Sequence, residues 1–395
     1  MPPSPWRGRL AVAALATGLF AIVTTEILPI GLLTAIGADF GVSPGAAGLT
    51  MTMPGLVAAV AAPVVTVATG RLDRRAMLGV FMLLLALAGF LGAVAPEYWV
   101  LLAARVLVGV TIGGFWSIGA GLAPRLVGPR AAPAATSVVF AAVPLGSVLG
   151  VPAGTVLGEL AGWRTAVAAL GVLGLAVFAA LAATTPRLPA DGSATTWGVL
   201  AALARRKGTR AALMLTVTIV LAHLGTYTYV TPLLHDVGVG DVATYLLVYG
   251  GAGVVGNFLA GWAVPRSPRA TFATAAAAIA LATVALPMLH GAGTLAALMI
   301  WGLAYGAVPV CSQSWFARAA PDAPEGATVL FTSSFQATMA AGAFLGGLVV
   351  DATSPSALMM VGGVVAMGGV VGVKGVRVGA PGRTAPTPHH SHRTP

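Results

Sequence analysis

Apolar residues occur along this chain in blocks of roughly 18–25, the length a helix needs to cross about 30 Å of hydrocarbon. Polar breaks between them are short, and they predict twelve spans at about 11–35, 45–68, 77–95, 98–123, 134–157, 165–184, 211–234, 243–264, 270–289, 295–317, 327–350 and 356–373. The first block follows Arg7 and Arg9. At about 25 residues it is too long for a signal-peptide core, and no A-x-A site follows it, so it reads as the first span. The longest polar stretch, 185–210, carries Arg205-Arg206-Lys207 and divides the blocks into two sets of six. The expected organisation is a six-helix bundle over 1–184, a cytoplasmic linker over 185–210, a second bundle over 211–374, and a disordered tail over 375–395 rich in Pro, Gly and His.

The two sets are related in sequence. RVLVGVTIGGFWSIGAGLAPRL, Arg105 to Leu126, is echoed by the stretch around MIWGLAYGAVPVCSQSWFARAA, with Gly109 falling on Gly302, Gly113 on Gly306 and Arg125 on Arg318. In the fifth and eleventh blocks GSVLGVPAG aligns with MAAGAFLGG, placing Gly154 on Gly347. The chain is therefore expected to be an all-α polytopic membrane protein, twelve transmembrane helices as two bundles in pseudo-twofold repeat, an architecture used by secondary transporters. One charged position breaks the repeat, because Leu298 stands where the first copy has Arg105.

Composition agrees, with 57% hydrophobic and 8% charged residues, against about 25% charged for a soluble domain. The net charge of +10 raises nucleic acid as a partner, but its distribution gives another reason. Nineteen of the twenty-one lysines and arginines lie on alternate loops or the tail on one side, leaving Arg164 on the other and Arg105 inside a span. The positive-inside rule then puts both termini in the cytoplasm. The expected setting is the inner (cytoplasmic) membrane, with no nucleic acid partner. Cys311 is the only cysteine, which excludes an intramolecular disulfide and a thiol metal site. His389, His390 and His392 form a loose metal-binding pattern, outweighed by the low complexity of the tail.

Ionisable groups within the blocks are Glu26, Arg105 and His223, accompanied by Asn257, Gln313 and Gln336. A charge in the membrane costs at least a few kcal/mol, so each is a candidate for function. Counting about 1.5 Å per residue puts Glu26 about 24 Å and Arg105 about 27 Å from the cytoplasmic end of their spans, at a shared level. Arginine keeps its proton and needs an anion or a ring of carbonyls there. Two roles stay open for Glu26 and Arg105: a permanent ion pair that fixes helix packing, or proton coupling with Glu26 as the titrating acid. Trp116 shares the helical stripe of Arg105; His223, Tyr227 and the nearby Tyr229, then Trp301, Tyr305 and Gln313, supply aromatics and hydrogen-bonding groups suited to a planar, mildly polar ligand or, equally, to helix packing.

The loop TGRLDRRAML holds Gly70, Asp73, Arg74 and Arg75, with Asp73 placed to cap the third span. Gly146, Gly150, Pro152, Gly154 and Gly158 give the fifth span a small-residue face with a proline kink. No cluster of acids, histidines or a nucleophile lies at a membrane face, which argues against a membrane enzyme. A receptor or scaffold is disfavoured because intramembrane charges would then cost stability for little return.

These residues resemble the major facilitator superfamily over nearly the whole chain, in particular its twelve-span drug:proton antiporter branch. TTEILPIGLLTAIGADFGVS, Thr24 to Ser43, is similar to that branch's first span, with the acid at Glu26; TGRLDRRAML resembles its loop motif, Arg105 with Gly109 its fourth-span motif, and Gly146 to Gly158 its antiporter motif. RVLVGVTIGGFWSIGAGLAPRLV, GELAGWR and IWGLAYGAVPVCSQSW are similar to purine ribonucleoside efflux pumps and arabinose-efflux-like permeases. The resemblance implies proton-driven export of a small organic molecule, such as a purine nucleoside, a base analogue or a drug. It implies a monomer without cofactors, driven by the proton gradient, with a cavity lined by spans one, four, seven and ten. An importer or uniporter of a sugar or nucleoside is the alternative on the same fold. The sequence departs from the pattern in three places. The loop lacks a glycine after its first arginine, Gly150-Val151-Pro152 replaces Gly-Pro, and Trp262 to Arg269 has no acid.

Overall fold

A computed structural model describes residues 5–70, 72–119, 122–189 and 196–375. Among them are twelve helices long and apolar enough to cross a membrane: Trp6–Phe40, Pro44–Ala68, Arg74–Ala93, Tyr98–Ile118, Ala132–Ala161, Trp163–Thr184, Lys207–Tyr227, Val242–Ala263, Pro268–Met288, Ala292–Ala319, Gly326–Ala352 and Pro355–Val373. They are numbered here as spans one to twelve. Arg71 and the histidine-rich tail lie outside the described residues, so the metal pattern in the tail is not addressed by the fold.

Within the first half, span two packs on four, three on six, and one on five and six; in the second half eight packs on ten, nine on twelve, and seven on eleven and twelve. The same pairings recur six spans later, as the internal repeat predicts. Glycines make the closest of these approaches. A Cβ at Gly113 would meet the Ala58 carbonyl oxygen at 2.7 Å, and one at Gly306 would meet the Asn257 nitrogen at 2.9 Å. The matching glycines of spans four and ten thus let each span lie directly on the main chain of spans two and eight. The halves meet through spans two and eleven and through spans five and eight.

Five local features differ from expectation. The first span extends to Phe40 rather than ending near residue 35, and the fourth ends at Ile118 rather than running to 123. Span five is distorted by a π-helical turn over Gly146–Gly150. Pro152 has no N–H to give the Val148 carbonyl and its ring crowds that group, so the hydrogen-bond ladder shifts register just before it. The seventh block is broken: helix ends at Tyr227 and resumes over Val230–Asp236. Pro232 bears the same relation to the Thr228 carbonyl, which lies at the break. Finally, part of the polar linker is helical, Trp197–Arg205, with Thr196 capping it and Leu200 and Leu203 buried. Leu203 packs with Ala320 and Ala327, so this part of the linker lies against the second half.

At the arginine-poor end the halves are bonded directly. Asp351, near the end of span eleven, accepts from the Ser43 hydroxyl at 2.6 Å and the Gly45 N–H at 2.8 Å. Thr231 donates to the Ile30 carbonyl at 2.7 Å.

Candidate functional site: a mid-depth cavity between the halves

Between the halves lies a cavity of about 270 Å³, just below the ≈ 300–1,000 Å³ of sites for drug-sized ligands. Spans one, four, seven and ten line it as expected, but spans five, eight and eleven contribute as well. Its two walls differ. The first half presents Val23, Glu26, Ile27, Ile30, Trp116, Pro144 and Ser147, an apolar surface with one carboxylate. The second half presents His223, Tyr227, Tyr249 and Tyr305, with Asn257, Gln313 and Gln336 nearby.

Glu26 is buried at the middle of span one, and its Oε1 accepts from the Gln336 side-chain amide at 2.8 Å. This bond spans the two halves. Arg105 lies beside it at the shared level read from the sequence, yet its guanidinium addresses main chain: Nε donates to the Thr50 carbonyl at 2.7 Å, and the two terminal nitrogens donate to the carbonyls of Thr25 at 2.8 Å and Glu26 at 3.0 Å. The ring of carbonyls, rather than the Glu26 carboxylate, supplies its hydrogen bonds. Span one can offer the Thr25 carbonyl because Pro29, four residues on, has no N–H to give it. Arg105 borders a separate void of about 30 Å³, not the cavity, so the stripe it shares with Trp116 turns from one to the other.

The aromatic wall is ordered by stacking. His223 lies parallel to Tyr305 with ring centroids 3.3 Å apart, and Tyr227 stacks on Tyr249 at 4.3 Å. Trp301 is fully buried behind this wall, edge-on to His223 at 84°, and donates from Nε1 to His223 Nδ1 at 2.9 Å. It supports the lining rather than forming it, which corrects its expected place. Tyr229 is a second correction. The helix break at Thr228 turns it away from Tyr227, and its hydroxyl donates to the Ala343 carbonyl at 2.7 Å at the arginine-poor end. Tyr249 is the addition that sequence reading overlooked. It lies eight residues before Asn257 in span eight, two helical turns back on the same face with Gly253 between, and that spacing marks it.

The motif glycines of span five face span one: Gly146 lies against Val23, Gly150 against Thr24, Gly154 against Leu28 and Gly158 against Leu32. Pro152 is buried, and Ser147 and Val148 on the opposite side reach the cavity. In the loop motif Asp73 caps span three as expected, accepting from the N–H groups of Arg75 at 2.8 Å and Ala76 at 3.3 Å. Its other oxygen accepts from Leu188 N–H, tying the cap to the start of the linker. Arg74 donates to the Thr69 carbonyl and Arg75 to the Ala182 carbonyl; Gly70 lies in the preceding turn.

The sequence matches the family described as Major Facilitator Superfamily over residues 13–332. It is 32% identical over 359 residues to the purine ribonucleoside efflux pump NepI of Escherichia coli (strain K12), covering 89% of this chain and 90% of that protein. It is 34% identical over 356 residues to the transcription regulatory protein OpdE of Pseudomonas aeruginosa, covering 88% of each. Among solved structures, the nucleoside transporter NupG aligns with a TM-score of 0.78 at 10% identity, over 93% of this chain and 99% of that one. A bacterial homologue of the lysosomal transporter Spinster, in an inward-facing and unoccupied conformation, aligns at 0.72 and 15% identity over 94% and 95%. At those identities the structures speak for the fold alone.

Proposed function

The chain belongs to the major facilitator superfamily and is a multi-pass membrane transporter, and on that premise we propose that it is a proton-coupled exporter of a purine nucleoside or a related planar base analogue or drug. In this reading it lies in the cytoplasmic membrane with the arginine-rich loops and both termini in the cytoplasm, as the distribution of its cations supports. Alternating access then requires the contacts of Asp351 with Ser43 and Gly45 to break when the arginine-poor end opens.

One observation carries the coupling. The Glu26 carboxylate borders the cavity and also holds the bond to Gln336 across the halves. A hydrogen bond to a charged group contributes about 1.5–3 kcal/mol and one between neutral groups about 0.5–1.5 kcal/mol. A proton arriving on Glu26 therefore weakens the link by about 1–1.5 kcal/mol, roughly a tenfold change in the balance between two conformations. The same proton alters what the cavity offers a substrate, so proton and substrate compete through one carboxyl group. Arg105, clamped on the carbonyls of residues 25, 26 and 50, keeps span one fixed to spans two and four while this happens. The parallel rings opposite suit a flat heteroaromatic ligand, and NepI, a purine ribonucleoside efflux pump, supports the purine class.

Everted membrane vesicles test this reading. An inside-acid gradient should drive uptake of a radiolabelled purine ribonucleoside, and a protonophore should abolish it. Uptake driven only by an outside-acid gradient would overturn export. Transport of an unrelated drug with no response to any purine nucleoside would overturn the substrate class.

A further inference from the structure

The aromatic wall contains a chain of hydrogen bonds whose direction is fixed by its first member. An indole Nε1 carries a hydrogen and only donates, so at 2.9 Å from His223 Nδ1 it finds a bare nitrogen there. An imidazole with Nδ1 bare carries its hydrogen on Nε2. An imidazolium, with hydrogens on both nitrogens, would oppose two donors across that 2.9 Å, and a ring bare at both nitrogens would be an anion. His223 Nε2 lies 3.3 Å from the Tyr249 hydroxyl, which consequently accepts. The hydrogen of that hydroxyl is left over. Among the described residues the Tyr249 hydroxyl has no second hydrogen-bond partner, and Tyr249 lines the cavity.

The ring cannot easily turn to a different arrangement. His223 is 1% exposed, stacked on Tyr305 at an interplanar angle of 14° and on Tyr227 at 16°, with Trp301 edge-on at 84°. Rotation about its second side-chain torsion would lose the indole bond and the Tyr249 bond together. The titratable groups facing it are Tyr227, Tyr249 and Tyr305 on its own wall and Glu26 across the cavity. Trp301, which sets the tautomer, does not titrate.

We propose that His223 is a positioning residue, held neutral as its Nε2–H tautomer by the Trp301 indole, and that it aims the Tyr249 O–H into the cavity as the donor that selects planar substrates bearing a hydrogen-bond acceptor on the ring edge. The substrate class rests on the function proposed above; the tautomer does not. Proton coupling and ligand selection are thereby divided between the two walls: Glu26 on the first half exchanges the proton, while the second half keeps a fixed, uncharged pattern of donors. A ligand carrying an unprotonated ring nitrogen or a carbonyl at its edge satisfies the spare hydrogen. One lacking it leaves a desolvated hydroxyl unpaired.

Two measurements test this. The long-range proton–nitrogen spectrum of ring-labelled histidine, assigned with a His223→Gln variant, reads the tautomer without any substrate. From about pH 5 to 8, the range in which a free histidine changes charge, His223 should keep Nδ1 bare and Nε2 protonated, and Trp301→Phe should lose that constancy. A hydrogen on Nδ1, or an imidazolium, in the native protein would overturn the proposal. The second measurement compares binding of purine ribonucleosides with their singly deaza-substituted analogues. At least one analogue should bind the native protein about tenfold more weakly than its parent, a difference of about 1.4 kcal/mol, and the gap should close in Tyr249→Phe. A gap that persists in that variant, or native protein that discriminates against none of the analogues, would overturn the role of Tyr249. If no purine nucleoside binds at all, the substrate class fails, and the nitrogen spectrum still decides the tautomer.

Discussion

Gln336 in span eleven donates its side-chain amide to the Glu26 carboxylate in span one at 2.8 Å, and in doing so joins the two halves at the level of the cavity. Both residues are buried, so neither group finds bulk water if the bond is lost. Removing one partner of such a bond costs about 1–3 kcal/mol, more when the orphan is charged. Gln336→Leu should therefore lower thermal stability. In a double-mutant cycle with Glu26→Ala, which removes the acceptor, the two changes should couple by about 0.5–3 kcal/mol. Strict additivity would show that the bond does not hold the halves together.

Asp351 forms the second cross-half contact, taking the Ser43 hydroxyl and the Gly45 N–H into one carboxylate. Asp351→Ala leaves both donors without it and should favour conformations open at the arginine-poor end. Losing one or two bonds to a charged group, each about 1.5–3 kcal/mol, is enough to move the balance at least tenfold. Spin labels at positions 97 and 290, in loops of the two halves at that end, should show a longer-distance population that grows in the variant. An unchanged distance distribution would remove Asp351 from the gate.

Much of this was legible beforehand. The spans were, because each block of apolar residues matches the thickness it must cross. The repeat was too, because glycines such as Gly113 and Gly306 sit where two main chains touch and no side chain fits. Asp73 was recognisable as a cap from its place just before span three. The partners of Arg105 were only half legible: its need for carbonyls or an anion follows from its chemistry, but carbonyls are present at every residue and leave no mark in a sequence. Tyr229 is near Tyr227 in sequence but not in the cavity, because Pro232 interrupts the ladder at residue 228 and no periodicity signals that turn. The cations of the linker mask its helix, although Thr196 followed by Leu200 and Leu203 has the form of a capped amphipathic turn.

The glycines of close approach should be separable from those that merely lie in helices. A side chain at Gly306 meets the main chain of span eight, so Gly306→Val should cost at least the 1–3 kcal/mol typical of overpacking and reduce the folded fraction recovered in mild detergent. A methyl at Gly372 would meet Leu215 at 3.5 Å, an ordinary contact. Gly372→Ala should run as native on size exclusion. Equal behaviour of the two variants would contradict the packing described for spans eight and ten.

Arg206, at the end of the linker helix, holds Asp322 through two hydrogen bonds of 2.6 and 2.7 Å, and its guanidinium lowers that carboxyl to about 2. An unfolded aspartate titrates near 3.9. Since the folded value is the lower one, the stabilisation is present above about pH 4 and is lost as pH falls through about 2. Both groups are exposed, so salt should screen the pair. Asp322→Asn should lower the melting temperature slightly at neutral pH and low salt, and not at about 1 M salt, where the screening length is about 3 Å. A salt-independent loss would mean that Asp322 does more than pair with Arg206.

The central claim is that Glu26 couples the proton to the substrate, and proteoliposomes containing Glu26→Gln test it most directly. The substitution keeps the size of the side chain and can still accept from Gln336, but it cannot titrate. Nucleoside counterflow without a gradient should persist, while the acceleration that a pH gradient gives to the native protein should disappear. A Glu26→Gln protein whose transport still responds fully to the gradient would contradict the claim.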